Sequence, residues 1–182
     1  MTNFTPSNSY WPETHVVENL PMPLEDINVY TSDEALVQVV AKLSGSTNDG
    51  LQEFGRLCGE AATIDLGFQA NHQKPELHTH DRYGNRVDEV RFHPAYHELM
   101  RLSSSNGLHC EHWEASESGH QVLRAAKSYL MTQVEAGHGC PITMTSASIP
   151  ALKNDEALYK EWAPKILSRD YDGRNVPHTE KR

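Results

Sequence analysis

The sequence contains no long hydrophobic run. Its apolar stretches fall far short of the roughly 20 consecutive residues that a transmembrane helix needs, so we expect no membrane contact. The first residues, MTNFTPSNSYWPETH, have no basic stretch followed by an apolar one, and a secretion signal is not expected. These two absences exclude a membrane-spanning protein and argue against a secreted one.

Cysteine is scarce, and no two cysteines form a CxxC pair. The chain has three, Cys58, Cys110 and Cys140. An odd number of cysteines without a secretion signal argues against a disulfide framework and for a reducing compartment. We therefore expect a cytoplasmic protein.

Basic residues are outnumbered. The chain has 16 Lys and Arg but 25 Asp and Glu, so its formal net charge is −9, and no basic stripe is present. Nucleic-acid binding draws most of its affinity from Lys and Arg that neutralise phosphates, so we expect no nucleic-acid contact from this segment. The signatures GxGxxG, the P-loop and GxSxG are also missing, which removes the common nucleotide-binding and serine-hydrolase patterns.

Helical periodicity dominates what the sequence does contain. We predict an irregular arm over 1–30, where four prolines fall, a helical domain over 31–168, and a polar linker over 169–182. Thr31-Ser-Asp-Glu34 fits a capping box for a helix that ends near Gly45. Further helices are expected over 50–72 (two, or one kinked and packed closely at its glycines), from Pro94 to Asn106, over 119–136, after Pro141, and from Asp155 onward.

One strand signal stands out, in ELHTHDRYGNRVDEVRFHP. Apolar residues alternate on either side of Tyr83-Gly84-Asn85, which has the composition of a hairpin turn. The sequence therefore predicts a β-hairpin at about 76–92. The expected fold class is mainly α, an up-and-down helical domain with one small β-hairpin.

Two histidine groups raise the question of a metal. His78 and His80 share one face of a predicted strand beside Asp81, and the segment His109-Cys110-Glu111-His112 follows a helix cap in an apparent loop. Zinc needs three or four such ligands, and spacing supplies no further one in either place. We favour hydrogen-bonded or solvated histidines and predict no metal site.

The stretch QVEAGHGCPITMT offers the most specific chemistry. His138 and Cys140 could form a thiolate–imidazole pair, but the chain would have to turn back on itself and no third group orients them. We favour a joint between two helices. Glu135 ends the most apolar helix, so it needs a partner; a helix N-terminus or Arg124 is the simpler expectation, and acid/base chemistry at a pocket is the alternative.

QVEAGHGCPITMT and PELHTHDRYGNRVDEVRFHPAYHELM, together with LEDINVYTSDEAL and LSRDYDGRNVPHTEKR, resemble the adaptive-response (AidB-type) branch of the acyl-CoA dehydrogenase family. The resemblance is collinear from about Thr14 to Arg182. It implies an acyl-CoA dehydrogenase N-terminal type of helical domain from an FAD-dependent alkylation-response protein. Such proteins also contain a β-domain, which holds FAD chiefly through a stretch of the type GMxMTEKQGGSD, and further helical domains.

The chain stops just before that stretch would begin, so the resemblance assigns it no catalytic and no flavin-binding residue. We expect this segment alone to hold no FAD and to be inactive. By the family's architecture, its partners would be the β-domain and C-terminal helical domains or the subunits of a homo-oligomer, with an acyl-CoA-like small molecule as ligand. Substrate-pocket candidates are Glu135, His138, Thr143 and Thr145. The alternative is a stand-alone helical interaction domain without catalysis.

Overall fold

The computed structural model describes residues 19–44, 49–114 and 119–181. Over these residues the chain is mainly helical with one antiparallel hairpin, which confirms the predicted fold class. The elements are α1 (Glu34–Ser44), α2 (Asp49–Gly59), α3 (Ala61–His72), β1 (Glu76–His80), β2 (Arg86–Arg91), α4 (Pro94–Ser105), α5 (Glu111–Glu114), α6 (His120–Val134), α7 (Gly139–Leu152), α8 (Glu156–Ile166) and a 3-10 turn, η1 (His178–Glu180).

Part of the predicted N-terminal arm and the predicted helix end at Gly45 lie outside the described residues. Residues 19–33 contain turns but no helix or strand. No helix in the described ranges is long and apolar enough to cross a membrane.

Helix α6 lies at the centre of the helical packing. It packs against α1, α2, α3 and α5, and Ala126, Leu130 and Met131 are buried in these contacts. Leu51 and Phe54 of α2 are 1% exposed on the facing side. Because burial of each large apolar side chain contributes about 1.5–3 kcal/mol, this contact supplies a substantial part of the hydrophobic stabilisation.

Two glycines, Gly59 of α2 and Gly67 of α3, lie where backbones approach each other. Gly59 faces the carbonyl of Ile27, and Gly67 faces the carbonyl of Val134, in each case with no room for a Cβ atom. The predicted pair of helices with close packing at glycine is therefore confirmed. The second approach matters for the site described below, because it brings α3 against the last residue of α6.

The hairpin projects from the helices. Leu77 pairs with Val90 in an antiparallel register, and both side chains are largely exposed. The Asp81 carboxylate accepts hydrogen bonds from the backbone N–H groups of Tyr83 and Asn85, which closes the turn. Gly84 sits there at φ 85°, in the left-handed region that glycine tolerates.

Helix starts follow capping chemistry, with one correction. The first helix does not use a Thr31 capping box; Asp33 accepts from the backbone N–H of Leu36, so the cap lies two residues later. Asp155 caps α8 as expected, because its carboxylate accepts from the N–H groups of Ala157 and Leu158.

Removing the α8 cap gives a modest, measurable effect. Asp155→Ala is expected to lower the free energy of unfolding by about 1 kcal/mol, because two helical N–H groups lose their acceptor. Urea denaturation monitored by circular dichroism measures this loss. Asp155→Asn, which keeps a capping oxygen, should retain most of the stability; an equal loss in both variants would contradict the capping role.

Candidate functional site

The joint between α6 and α7 is built from the stretch QVEAGHGCPITMT. Helix α6 ends at Val134, Glu135 is extended, and α7 begins at Gly139. The prediction that the second helix follows Pro141 is wrong by two residues. Proline has no N–H, and the first turn of a helix does not need one, so Pro141 fits inside that turn.

Glu135 holds this joint together. Its Oε1 accepts from the N–H of Gly137 at 2.6 Å, and its Oε2 accepts from the N–H of His138 at 2.9 Å. The same Oε2 lies 2.8 Å from Nδ1 of His138. Arg124, one expected partner, is not in this group and instead interacts electrostatically with His112. The carboxylate thus provides hydrogen-bond acceptors for the backbone N–H groups of the turn that leads into α7.

His138 links the joint to a third helix. Its Nε2 lies 2.9 Å from Oγ of Ser103, in the last turn of α4, and Ser103 and His138 are 0% and 1% exposed. We call Glu135, His138 and Ser103 the polar triad. It connects α4, the end of α6 and the start of α7, and the contact between Ser103 and His138 is fully buried.

Glu135 is the negatively charged member of the triad. Burial raises the pKa of Glu135, but the hydrogen bonds donated by His138 and by the N–H of Gly137 outweigh burial, and the net pKa lies below its usual range. Glu135 is therefore ionised at neutral pH. An ionised carboxylate only accepts hydrogen bonds, so Nδ1 of His138 is the donor in its hydrogen bond to Oε2.

A pocket of about 210 Å³ opens beside the triad. It has an apolar floor of Leu108, Met131 and Ile142 and a polar edge that includes the triad. The remaining lining residues are Ser128, Thr132, Ala136, Gly139 and Thr143.

Three of the four pocket candidates therefore meet here: Glu135, His138 and Thr143. Thr145 does not. It lines a separate cavity of about 310 Å³, together with Ser104 and Lys165, and its hydroxyl donates to the Pro141 carbonyl at 2.8 Å.

Cys140 takes no part in this arrangement. Both nitrogens of His138 are engaged, by Glu135 and by Ser103, so no thiolate–imidazole pair forms. Cys140 is exposed at the start of α7. The structure thus favours a helix joint over a cysteine nucleophile.

Ser103 is the residue that the sequence analysis missed. It stands in a run of three serines, 35 residues from His138, and nothing in the sequence connects the two. A signal was nevertheless present: Ser103 follows Leu99 and Met100 at helical spacing, on the face that packs inward. A serine on such a face needs a buried hydrogen-bond partner.

The two histidine groups behave differently from each other. His78 and His80 are bound only locally, by Glu76 and Thr79. The expected loop at 109–112 is found only in part: residues 109 and 110 lie in a turn, but residues 111–114 form α5, and both histidines are buried. His109 contacts the Ser168 carbonyl at 2.9 Å, and His112 contacts Oγ of Ser146 at 3.1 Å. In the described part of the chain, no three His, Cys, Asp or Glu lie close enough to hold a metal ion.

Burial of His112 makes stability depend on pH. Burial, aided by the charges of Arg124 and His109, lowers the pKa of His112 from 6.5 to about 4. Between these values the unfolded chain binds a proton that the folded chain does not, so acid favours unfolding. The free energy of unfolding should fall by up to about 3 kcal/mol as pH drops across this window.

Urea denaturation at a series of pH values between 6.5 and 4 measures this effect. His112→Asn should flatten the slope, whatever it does to absolute stability. His80→Asn, which removes an exposed histidine, is the control and should leave the slope unchanged. A wild-type stability that is constant across the window would contradict the burial of His112.

Comparison with solved structures gives the fold. The chain superposes on ACDH-11 of Caenorhabditis elegans, solved in complex with C11-CoA, with a TM-score of 0.71 and 21% identity, covering 87% of this chain and 29% of that one. It superposes on the apo-form of Bd2924 with a TM-score of 0.72 and 23% identity, covering 80% and 30%. The chain therefore shares its fold with part of each of these two structures.

Sequence comparison gives the family. Residues 19–173 match the model of the adaptive response protein AidB N-terminal domain, and the chain belongs to this family. It is 43% identical to AidB of Escherichia coli (strain K12) over 176 residues, which is 95% of this chain and 32% of that protein. Acyl-CoA dehydrogenase family member 11 of Caenorhabditis elegans is 27% identical over 128 residues, 66% of this chain and 20% of that protein. The chain thus spans a third or less of these relatives.

Proposed function

We propose that this chain forms the helical wall of a flavin and acyl-substrate cavity in an FAD-dependent, acyl-CoA dehydrogenase-like protein of the alkylation-response type. The α6–α7 pocket carries the proposal. Six of its eleven lining residues belong to QVEAGHGCPITMT, through which the sequence resembles the family, and it combines apolar side chains with polar groups already held in place. A fold shared with a protein solved with C11-CoA supports an acyl ligand.

The described cavities do not by themselves fit FAD. Its pyrophosphate needs cationic side chains or free N–H groups. The α6–α7 pocket instead presents a carboxylate. Two wider grooves, of about 480 and 520 Å³, are lined almost entirely by apolar groups. The polar cavity that Thr145 lines contains Lys165 and Lys181, but the ammonium of Lys181 donates to backbone carbonyls, and two carboxylates, Asp170 and Asp172, line the same cavity. We therefore derive no chemical step through the flavin from these residues.

An exposed apolar groove favours this proposal over a stand-alone interaction domain. The groove lies between α1 and α6, where Val39, Leu43 and Tyr129 are each at least half exposed. Patches of this kind mark surfaces that pack against other protein. We expect the isolated chain to purify without flavin, to self-associate in size-exclusion chromatography and to bind a dye for apolar surface. A monodisperse chain with no dye binding would support the interaction-domain alternative instead.

A chimera tests the proposal itself. This chain replaces the matching 176 residues of E. coli AidB, and the flavin content of the purified protein is measured by absorbance. The parent protein, purified in parallel, gives the reference. We expect about one equivalent of flavin per chimera chain, because the cofactor contacts come from the retained part. A folded chimera without flavin, beside a flavin-loaded parent, would contradict the proposal.

A further inference from the structure

We propose that the α6–α7 pocket binds a short group that carries a hydrogen-bond donor and no negative charge, and that Glu135 is the residue that rejects anions. The inference deepens the proposed function, on which its acyl context rests. It names the chemistry of the part of a substrate that this pocket would take.

The charge balance of the pocket supports the exclusion of anions. Glu135 is the one carboxylate among the lining residues, and none of them is Lys or Arg. His138 cannot turn toward a ligand without breaking its contacts to Glu135 and Ser103. An anion in the pocket would therefore meet the negative charge of Glu135 with no Lys or Arg among the lining residues, in surroundings less polar than water.

The preference for a donor follows from the hydrogen bonds of Glu135. A carboxylate offers about four acceptor positions. Gly137 and the two contacts from His138 occupy three of them, so one remains on Oε1 among the described partners. The Glu135 side chain is 13% exposed and lines the pocket, so a ligand there would meet this carboxylate.

The rest of the pocket sets the size and polarity of the ligand. The floor of Leu108, Met131 and Ile142 suits a short alkyl segment, and the volume of about 210 Å³ limits its length. Hydroxyls of Ser128 and Thr143 stand at the edge. The expected group is thus a short apolar segment that ends in an amide, a hydroxyl or a similar donor.

Butyramide and butyrate form a matched pair of probes. They have nearly the same shape, but only butyramide has donors and only butyrate is charged. We titrate each into the full 182-residue chain and follow the backbone amide resonances of His138 and Thr143 by NMR. Butyramide should shift these resonances in a saturable way, and butyrate should bind about tenfold more weakly or worse. Equal binding of the two, or no shift with butyramide, would overturn the proposal.

Glu135→Gln tests the named residue. It preserves the shape of the side chain and removes its charge, so the preference for butyramide should shrink to about threefold or less. Glu161→Gln removes the same charge from an exposed position on α8 and should leave the preference intact. A preference unchanged in Glu135→Gln would overturn the role of Glu135. Should that variant not fold, the wild-type comparison of the two probes still decides the proposal.

This experiment is independent of flavin. If the chimera holds flavin but the 182-residue chain does not bind butyramide, the inference is contradicted and the proposed function is not. Selective butyramide binding together with a flavin-free chimera would do the reverse.

Discussion

Gly67→Ala is expected to lower the free energy of unfolding by about 3 kcal/mol or more. A Cβ atom at this position would lie 2.2 Å from the carbonyl oxygen of Val134 and 3.0 Å from its carbonyl carbon. Both are backbone atoms at the end of α6, next to Glu135, so relief requires moving a helix. The gain in helix propensity, about 1 kcal/mol, is too small to offset this clash. Urea denaturation of the wild-type chain and of Gly67→Ala measures the difference in free energy of unfolding.

Gly50→Ala is the matched control. Gly50 lies in the first turn of α2, and a Cβ atom there would have nothing within 4 Å. This substitution should leave stability unchanged or raise it by up to about 1 kcal/mol. If Gly67→Ala were as stable as Gly50→Ala, the close approach of α3 to the end of α6 would be wrong.

His138→Ala should be similarly costly, at about 3 kcal/mol. The substitution removes a fully buried ring, leaves the Ser103 hydroxyl without its buried partner, and takes one hydrogen bond from the Glu135 carboxylate. Cys140→Ala, two residues later and exposed, should change stability by no more than about 0.5 kcal/mol. Comparable effects at the two positions would contradict the triad.

A double-mutant cycle isolates the contact between α4 and the joint. Ser103→Ala alone should cost about 1 kcal/mol, because it leaves one nitrogen of His138 unpaired. The double variant should be more stable than the sum of the single losses predicts, by about 1 kcal/mol. Additive losses would mean that the hydroxyl and the ring do not interact.

Local rules predicted most of the fold. Helical periodicity located α6, and the composition of Tyr83-Gly84-Asn85 located the hairpin. Pro94 and Asp155 mark helix starts, because each meets a requirement of the first turn within a few residues. These features depend on neighbours in sequence, which is why pattern reasoning reaches them.

The site was predictable only in part, because its partners are distant in sequence. The stretch from Glu135 to His138 drew attention through its composition, but its contact with Ser103 spans 35 residues. The N-cap residue of α1 was misplaced because Thr31 and Asp33 are both of the residue types that favour an N-cap. The backbone conformation decides between them. The loop expected at 109–112 is a buried turn and helix, which only the packing of α7 and the segment after α8 determines.

The claim that the α6–α7 pocket lines an acyl cavity is tested most directly in the flavin-loaded chimera, by the affinity for C11-CoA read from the flavin spectrum. Thr143→Trp fills the pocket, whereas Met144→Trp places the same side chain at a neighbouring position that is 65% exposed. We predict that Thr143→Trp weakens binding by about tenfold or more, and that Met144→Trp leaves it within about twofold of the parent chimera. Unchanged affinity in Thr143→Trp, with flavin still bound, would contradict the account.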